Sequence, residues 1–308
     1  MKKFSVSIVI PCFNEKDNIS LLYNGLCDVL KSYPDHELIF VDDGSTDGSL
    51  GIIQELAQHH AEVRFISFSR NFGHQNALKA GLDHATGDCV ITMDADMQHP
   101  PAIIPLLIDQ WQEGYEVVNT IRSEQESLSA AKKLTSGLFY RLINRLSSVD
   151  IQQGAADFRL LDRKVVEALR GFNENYLFLR GLIPWIGFRQ TSIAYKPSER
   201  HAGTTKYSPV RMLRFALNGI TSFSTKPLYL SIGFGTVIAG LAFLYGIYAL
   251  YMYIFTDATM PGWTSIAASV LFIGGIQLIM LGIIGGYLGK LFIENKRRPN
   301  YIIRQKNC

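Results

Sequence analysis

Cysteine is sparse in this chain of 308 residues: Cys12, Cys27, Cys89 and Cys308 stand alone, with no paired spacing. That excludes a thiolate metal knot and a disulfide framework, and makes reduced thiols in a cytosolic domain the default. Glycine is missing where a dinucleotide site needs it. The first apolar run ends in Pro11-Cys12-Phe13-Asn14-Glu15, without a glycine-rich turn, and no Walker lysine follows. Rossmann dehydrogenase and P-loop chemistry are excluded together. An excess of one charge is also lacking, since 30 Lys and Arg against 27 Asp and Glu leave only +3. Nucleic acid is not implied as a partner. No internal repeat or low-complexity tract interrupts the chain.

In the last third, charge disappears altogether. No charged residue lies between Lys226 and Asp257, and none between Asp257 and Lys290. Each stretch exceeds the roughly 20 apolar residues that cross a bilayer, and core helices rarely run so long uncharged. Two membrane spans are expected. Lys290, Lys296, Arg297, Arg298, Arg304 and Lys306 follow the second span or close it, and Arg211, Arg214 and Lys226 precede the first. The connection between the spans holds Asp257 and no Lys or Arg. The positive-inside rule then puts both termini, and the large N-terminal part, in the cytoplasm. Met1-Lys2-Lys3 could open a signal peptide, but the apolar run after it is short, β-branched and stopped by Pro11. A strand is the better reading.

From residue 5 to about 120, strand-like and helix-like stretches alternate. "SVSIVI", "ELIFVDD", "VRFISFS", "CVITMDAD" and "YEVVNTI" read as short buried strands. Between them, helical patterns run over Asn18–Lys31, Ser49–His59, Asn76–His84 and Ala102–Gln112. Such alternation predicts a mostly parallel sheet with helices on both faces. Ligands in that architecture gather at the carboxyl ends of strands, where this chain places its polar clusters. Two further amphipathic patterns carry basic residues: Leu128–Leu146, with Lys132, Lys133, Arg141 and Arg145, and Val210–Phe223 beside the first span. Both suit a membrane surface, and packing against the domain is the alternative.

The densest polar cluster is "DADMQHPP", residues 94–101. Two carboxylates at one strand end repel each other unless a cation sits between them. Asp94, Asp96 and Gln98 are oxygen ligands of the kind Mg2+ or Mn2+ takes, and a divalent cation would clamp a diphosphate in place of the missing glycine loop. A D-x-D pair alone is weak. Here it follows a buried strand, and a second acidic cluster, "VDDGSTD", follows another.

With "PCFNE", "VDDGSTD" and "DADMQHPP" in this order and spacing, the sequence resembles the inverting family 2 glycosyltransferases of the GT-A fold. "SRNFGHQNAL", "GAADFRLLDRK", "ERHAGTTKYS", "GITSFST" and "RRPNYII" extend the similarity to the polyisoprenyl-phosphate branch. That branch includes bactoprenol glucosyltransferases and has dolichol-phosphate-mannose synthases as relatives. The Q-x-x-R-W motif of processive synthases is absent.

The resemblance implies an α/β, Rossmann-like GT-A domain over residues 1–206, an interfacial helix over 207–225, a two-helix membrane anchor over 226–295 and a basic cytoplasmic tail over 296–308. It implies that Pro11, Phe13 and Glu15 line a nucleoside pocket and that Asp43 and Ser45 read base and ribose. The competing reading of that turn is a helix cap, for which Ser45, Thr46 and Asp47 are suited. Arg70 would assist the donor, Asp94 would touch its ribose or sugar, and Asp96 with Gln98 would hold the metal. His99 is a weaker candidate, since a histidine before Pro-Pro is as often structural. Asp157 sits where relatives place a general base; a positioning group or a helix-start aspartate are the alternatives. Arg122, Lys132 and Ser136 match acceptor-phosphate positions, and Arg200 and Lys206 look like a loop closing over the diphosphate.

The expected activity is transfer of a hexose, glucose first, from a nucleotide sugar, UDP-linked first, to undecaprenyl or another polyisoprenyl phosphate with inversion. A GDP-mannose-type mannosyltransferase and a polysaccharide synthase are the alternatives. The expected location is a bacterial inner membrane, and the resemblance suggests a homotetramer.

Overall fold

The computed structural model describes residues 3–123, 155–175, 177–198, 224–255 and 262–308. Eight strands form one sheet: β1 (Val6–Cys12), β2 (His36–Asp42), β3 (Val63–Phe68), β4 (Cys89–Thr92), β5 (Val117–Arg122), β6 (Ala155–Asp162), β7 (Gln190–Tyr195) and β8 (Ile303–Lys306). Their spatial order is β7-β5-β6-β4-β1-β2-β3-β8. The centre is parallel, β4-β1-β2-β3, and β5 pairs with β7 in parallel. β6 enters antiparallel between β4 and β5, and β8 closes the β3 edge antiparallel. The five strands read from sequence are all present, in a sheet that is mostly parallel, as expected.

The helices follow from apolar spacing. In α1 (Lys16–Leu30) the buried residues include Ile19, Leu22, Tyr23, Leu26 and Leu30, one stripe at helical period. α2 (Ser49–His59), α3 (His74–His84) and α4 (Ile104–Gln112) fall where the patterns put them. α5 (Arg163–Arg170) and α6 (Leu179–Ile186) complete the described domain. Because side chains alternate across a strand, the sheet carries two cores. Val6, Ile8 and Ile10 of β1 join Leu38, Phe40 and α1 on one face. Val9 joins Ile39, Val41 and residues of α3, α5 and α6 on the other.

On that second face α3 lies unusually close to β1. A Cβ added at Gly81 would sit 2.1 Å from Val9 Cγ1. This approach fixes the pitch of α3, whose first residues reach the carboxyl ends of the strands.

α7 (Lys226–Phe255) and α8 (Trp263–Asn295) are long and apolar enough to cross a membrane, over Leu228–Tyr248 and Phe272–Asn295. Their side chains face outward from the chain; Phe243 is 70% and Leu278 72% exposed. Glu294 near the end of α8 accepts hydrogen bonds from the Asn175 backbone N–H at 2.9 Å and its Nδ2 at 2.7 Å.

Two expectations change. Residues 296–308 are not a separate tail, because β8 extends the domain's own sheet and Asn307 Oδ1 accepts from the Phe65 N–H at 2.6 Å. Alternating Ile303-Arg304-Gln305-Lys306 is too short and too charged to stand out as a strand until an open edge is there to pair with it. Asp157 does not start a helix: it lies inside β6, and Asp162 caps α5 by accepting from the Lys164 N–H at 2.9 Å. The amphipathic segments 128–146 and 207–223 lie outside the described residues.

Gly81→Ala is expected to lower stability by about 1–3 kcal/mol through overpacking against Val9. The double variant Gly81→Ala/Val9→Ala should recover more than half of that loss. Thermal unfolding of the detergent-solubilised protein reads both, and full additivity of the two losses would refute the contact.

Candidate active site

The loops after β1, β2, β3 and β4 meet at one end of the sheet, and their polar side chains lock one another. After β1, Asn14 turns with φ 56, a left-handed conformation that asparagine tolerates. Its N–H donates to Ser45 Oγ at 3.0 Å, while the Thr46 N–H donates to Asn14 Oδ1 at 2.9 Å. Asp47, one residue before the Gly48 N-cap of α2, accepts from the Ser49 N–H at 3.0 Å and the Lys16 N–H at 3.2 Å, tying the start of α2 to that of α1. Ser45 therefore braces the β1 loop, with Pro11 buried and Phe13 and Glu15 half-buried beside it. Glu15 Oε2 accepts from Asn18 Nδ2 at 2.6 Å.

Asp42 and Asp43 end β2 with different tasks. Buried Asp42 accepts from Ser67 Oγ at 2.8 Å and the Ser45 N–H at 3.0 Å. Asp43 accepts backbone N–H groups at both oxygens, from Phe72 at 2.6 Å and Gly73 at 2.9 Å. Burial raises its pKa, and those two N–H groups work against the rise. Gly44 is required between them and the next loop: its φ is +70, and a Cβ there would lie 2.6 Å from the Arg70 carbonyl carbon. The exposed Arg70 guanidinium rests 4.0 Å from the Phe72 ring centroid.

Five ionised groups occupy the centre. Asp94 follows β4 and is 26% exposed at its side chain, and His74 Nε2 lies 2.7 Å from its Oδ1. Asp157 on β6 is 4% exposed. Arg180 of α6 grips it with Nε and Nη2, each at 2.9 Å, and Arg159 Nη2 adds a contact at 3.1 Å. His74 Nδ1 lies 3.8 Å from Asp157, so one imidazole spans both carboxylates. Gln75 ties the cluster to α6, because its Oε1 accepts from the Leu179 N–H at 3.0 Å.

Desolvation in the cleft works against a charged His74, but the Asp94 carboxylate overrides it and raises the pKa to about 9. For Asp94, burial raises and His74 lowers, with the balance at about 2. Burial is likewise opposed at Asp157, where Arg180 and Arg159 hold the pKa well below the usual carboxylate range. Asp157 is thus a fixed anion and a poor proton acceptor.

His99 is structural. Fully buried, it accepts the Asp94 N–H at Nδ1, 3.0 Å away, and stacks on Phe158 at 5.0 Å. Arg122 reaches the same layer, with Nε 3.3 Å from the Tyr195 hydroxyl and Nη2 3.4 Å from His99 Nε2. Asp96 and Gln98 sit half-buried on the turn after β4, where the Gln98 N–H donates to Asp96 Oδ1 at 3.2 Å and Met97 takes φ 64. Among the described residues no three His, Cys, Asp or Glu side chains form a ready cage. The donor set still fits a magnesium-like ion, which takes one or two carboxylates and completes its shell with substrate phosphate.

The structure therefore brings Asp94, Asp157 and Arg122 into one cleft, with the Asp43–Ser45 turn and the Asp96–Gln98 turn at its rim. Lys132, Ser136, Arg200 and Lys206 lie outside the described residues. Sequence reasoning missed His74, Gln75, Arg159 and Arg180. The first two belong to "SRNFGHQNAL" at a strand end, and Arg159 sits two positions from Asp157 on the same strand face. Arg180 gives no signal, since only the fold carries α6 back to β6.

The Glycosyl transferase family 2 model matches residues 7–170. The "Uncharacterized glycosyltransferase YkcC" of Bacillus subtilis (strain 168) is 43% identical over 97% of this chain and 93% of its own length. The "Prophage bactoprenol glucosyl transferase homolog" of Escherichia coli (strain K12) is 41% identical over 97% and 98%. The "Bactoprenol glucosyl transferase" of Shigella phage SfV is 40% identical over 98% and 98%. Among solved structures, a mannosyltransferase from Pyrobaculum calidifontis in complex with GDP-Man and Mn2+ covers 96% of this chain and 88% of its own, at 16% identity and TM-score 0.47. With a family match over more than half its length and relatives above 40% identity end to end, the chain belongs to glycosyl transferase family 2 and carries its GT-A fold.

Proposed function

We propose that the protein transfers glucose from UDP-glucose to undecaprenyl phosphate at the cytoplasmic face of a bacterial inner membrane, inverting the anomeric centre. The observation that carries this reading is the similarity to bactoprenol glucosyl transferases over nearly the whole chain, the apolar helices included. The cleft chemistry agrees with it. A lipid phosphate has its second pKa at about 6, so at neutral pH it is its own nucleophile. A sugar hydroxyl would need a base, and Asp157, clamped by two arginines, is unsuited to that task.

In this reading a phosphate oxygen of the acceptor attacks the anomeric carbon from the face opposite the diphosphate. The new C–O bond forms as the bond to the nucleotide breaks, and the electron pair leaves with the diphosphate. No proton is moved. An α-linked donor gives a β-linked lipid-phosphate sugar. Asp96 and Gln98 would hold a divalent cation, Mg2+ or Mn2+, which supplies charge stabilisation on the departing diphosphate. Pro11, Phe13 and Glu15 would line the nucleoside pocket, Asp43 and Ser45 would shape its floor, and Arg70 would face the donor. Asp94, oriented by His74, would contact the sugar or ribose. Asp157 would position Arg180 and His74 rather than accept a proton. Arg122 is assigned to the acceptor phosphate with Lys132 and Ser136, and Arg200 and Lys206 to the diphosphate.

The purified protein should move radiolabelled glucose from UDP-glucose to undecaprenyl phosphate and to no free sugar. EDTA should stop transfer, Mn2+ or Mg2+ should restore it, and Asp96→Asn should be inactive yet folded. Undiminished transfer after chelation removes the metal assignment, and transfer only from other donors removes glucose.

The pH–rate profile of the parent should fall on the acid side near about pH 6, where the acceptor phosphate gains a proton. On the alkaline side it should fall near about 9, as His74 loses the proton that holds Asp94. Asp157→Asn should lose on the order of 10- to 100-fold and keep the same acid limb, as a misplaced reactant requires. Complete loss at every pH, with donor binding and folding intact, would make Asp157 an obligate base.

Topology has its own test. In a cysteine-free background, Thr259→Cys should react with an impermeant maleimide in intact cells, and Arg304→Cys should not. Labelling of position 304 alone would put the cleft on the side without nucleotide sugars.

A further inference from the structure

β8 does more than cover a sheet edge. Just before it, Tyr301 lays its ring on Phe68, 5.1 Å between centroids and 14° between planes. Phe68 in turn meets Phe72 edge-on at 5.7 Å and 88°. Phe72 belongs to the turn whose N–H groups hold Asp43, and the chain passes through Gly73 directly to His74 on Asp94. The Tyr301 hydroxyl donates to Asp83 Oδ2 at 3.0 Å, near the far end of α3. Lys79, itself 2% exposed, binds the other oxygen of Asp83. The Ser69 N–H donates to the Ile302 carbonyl at 3.0 Å.

One side chain thus reaches the turn that precedes α3 through Phe68 and directly holds, at Asp83, the helix that carries His74 and Gln75 into the cleft. On its other side, residues 296–300 join Tyr301 to the end of α8, which Glu294 fastens to Asn175. Capping an edge against aggregation requires only backbone pairing and charge, which β8 already supplies. The ring stack and the Asp83 bond add nothing to that task. Their partners all lie on the route to the cleft.

We propose that Tyr301 is a positioning residue of the cleft, fixing the Phe72–Gly73–His74 turn through Phe68 and α3 through Asp83, and so linking the cleft's geometry to the membrane-facing helix α8. The consequence for catalysis rests on the donor reading above, but the link itself does not. A loosened turn frees Asp43 and His74 together, so donor binding suffers while the acceptor side, whose Arg122 stands on β5, is spared.

The experiment uses the full-length protein in detergent or nanodiscs, with Tyr301→Leu, Tyr301→Phe and Tyr23→Leu. Tyr23 is a matched control: it is 6% exposed, donates to Glu62 at 3.0 Å and packs in the core on the opposite sheet face. Hydrogen–deuterium exchange is followed over residues 69–86, and KM and kcat are measured for UDP-glucose and for undecaprenyl phosphate. Tyr301→Leu should speed exchange at Phe72–Ala77 and raise donor KM about tenfold, with acceptor KM unchanged, as expected for misplaced binding groups. Tyr301→Phe keeps the stack and should restore turn protection and donor KM, while the end of α3 around Asp83 exchanges faster. Tyr23→Leu should lower the unfolding temperature without touching the turn. Turn exchange that stays at the parent's rate in Tyr301→Leu, or that rises equally in Tyr23→Leu, overturns the proposal. If Tyr301→Leu does not fold, Tyr301→Phe decides: faster exchange of the α3 end with a protected turn supports it, and no change at Asp83 overturns it. Faster turn exchange in a protein whose parent turns over no nucleotide sugar would keep the link and discard the donor reading instead.

Discussion

Two carboxylates on neighbouring strands of one cleft, Asp94 after β4 and Asp157 on β6, set the constraint that the surrounding structure answers. In a protein interior their repulsion is worth on the order of a few kcal/mol. Leaving either uncompensated would cost more. Three cations meet them: His74 from the start of α3, Arg159 from β6 and Arg180 from α6. Each arrives on a different element, so the cluster exists only when α3, β6 and α6 are all in place. The Thr92 hydroxyl fixes the strand pair itself by donating to the Asp157 carbonyl at 2.6 Å. Folding and assembly of the cleft are in this sense one event.

The same electrostatics divides the protein's response to pH. The folded pKa of His74 is raised, so its contribution to stability is fully present below about 6.5 and lost as pH rises through about 9. Those of Asp94 and Asp157 are depressed, so theirs is present above the usual carboxylate range and lost only in strong acid. Between those limits the cluster keeps all its charges. Carboxylates held as permanent anions suit the organisation of cations and sugars. They do not suit proton transfer.

Around this centre the apolar architecture serves placement. Gly81 lets α3 settle on Val9, Gly44 lets the β2 loop touch the Arg70 backbone, and β8 returns from α8 to hold the open edge beside β3. A chain that leaves the domain for two apolar helices and then comes back into its own sheet makes the helices part of the domain's closure. They are more than an appendage.

The sequence by itself determined the alternation of β1 to β5 with α1 to α4, because hydrophobic period and strand-end polarity are local properties that neighbours in the chain suffice to express. It determined the two membrane-length helices for the same reason, and it carried the family through motifs whose order survives in one dimension. Asp94, Asp96 and Gln98 were legible as polar residues at a strand end, and Asp157 only through the family resemblance. Only the tertiary structure decided that Asp43 and Ser45 spend their side chains on neighbouring loops, that His99 is a buried acceptor for a backbone N–H, and that Asp157 is a strand residue between two arginines. Arg180 and Tyr301 lie far along the chain from the groups they hold, and β8 becomes a strand only against β3. Contacts of that kind have no local signal, since their energy comes from a partner that the fold must first deliver.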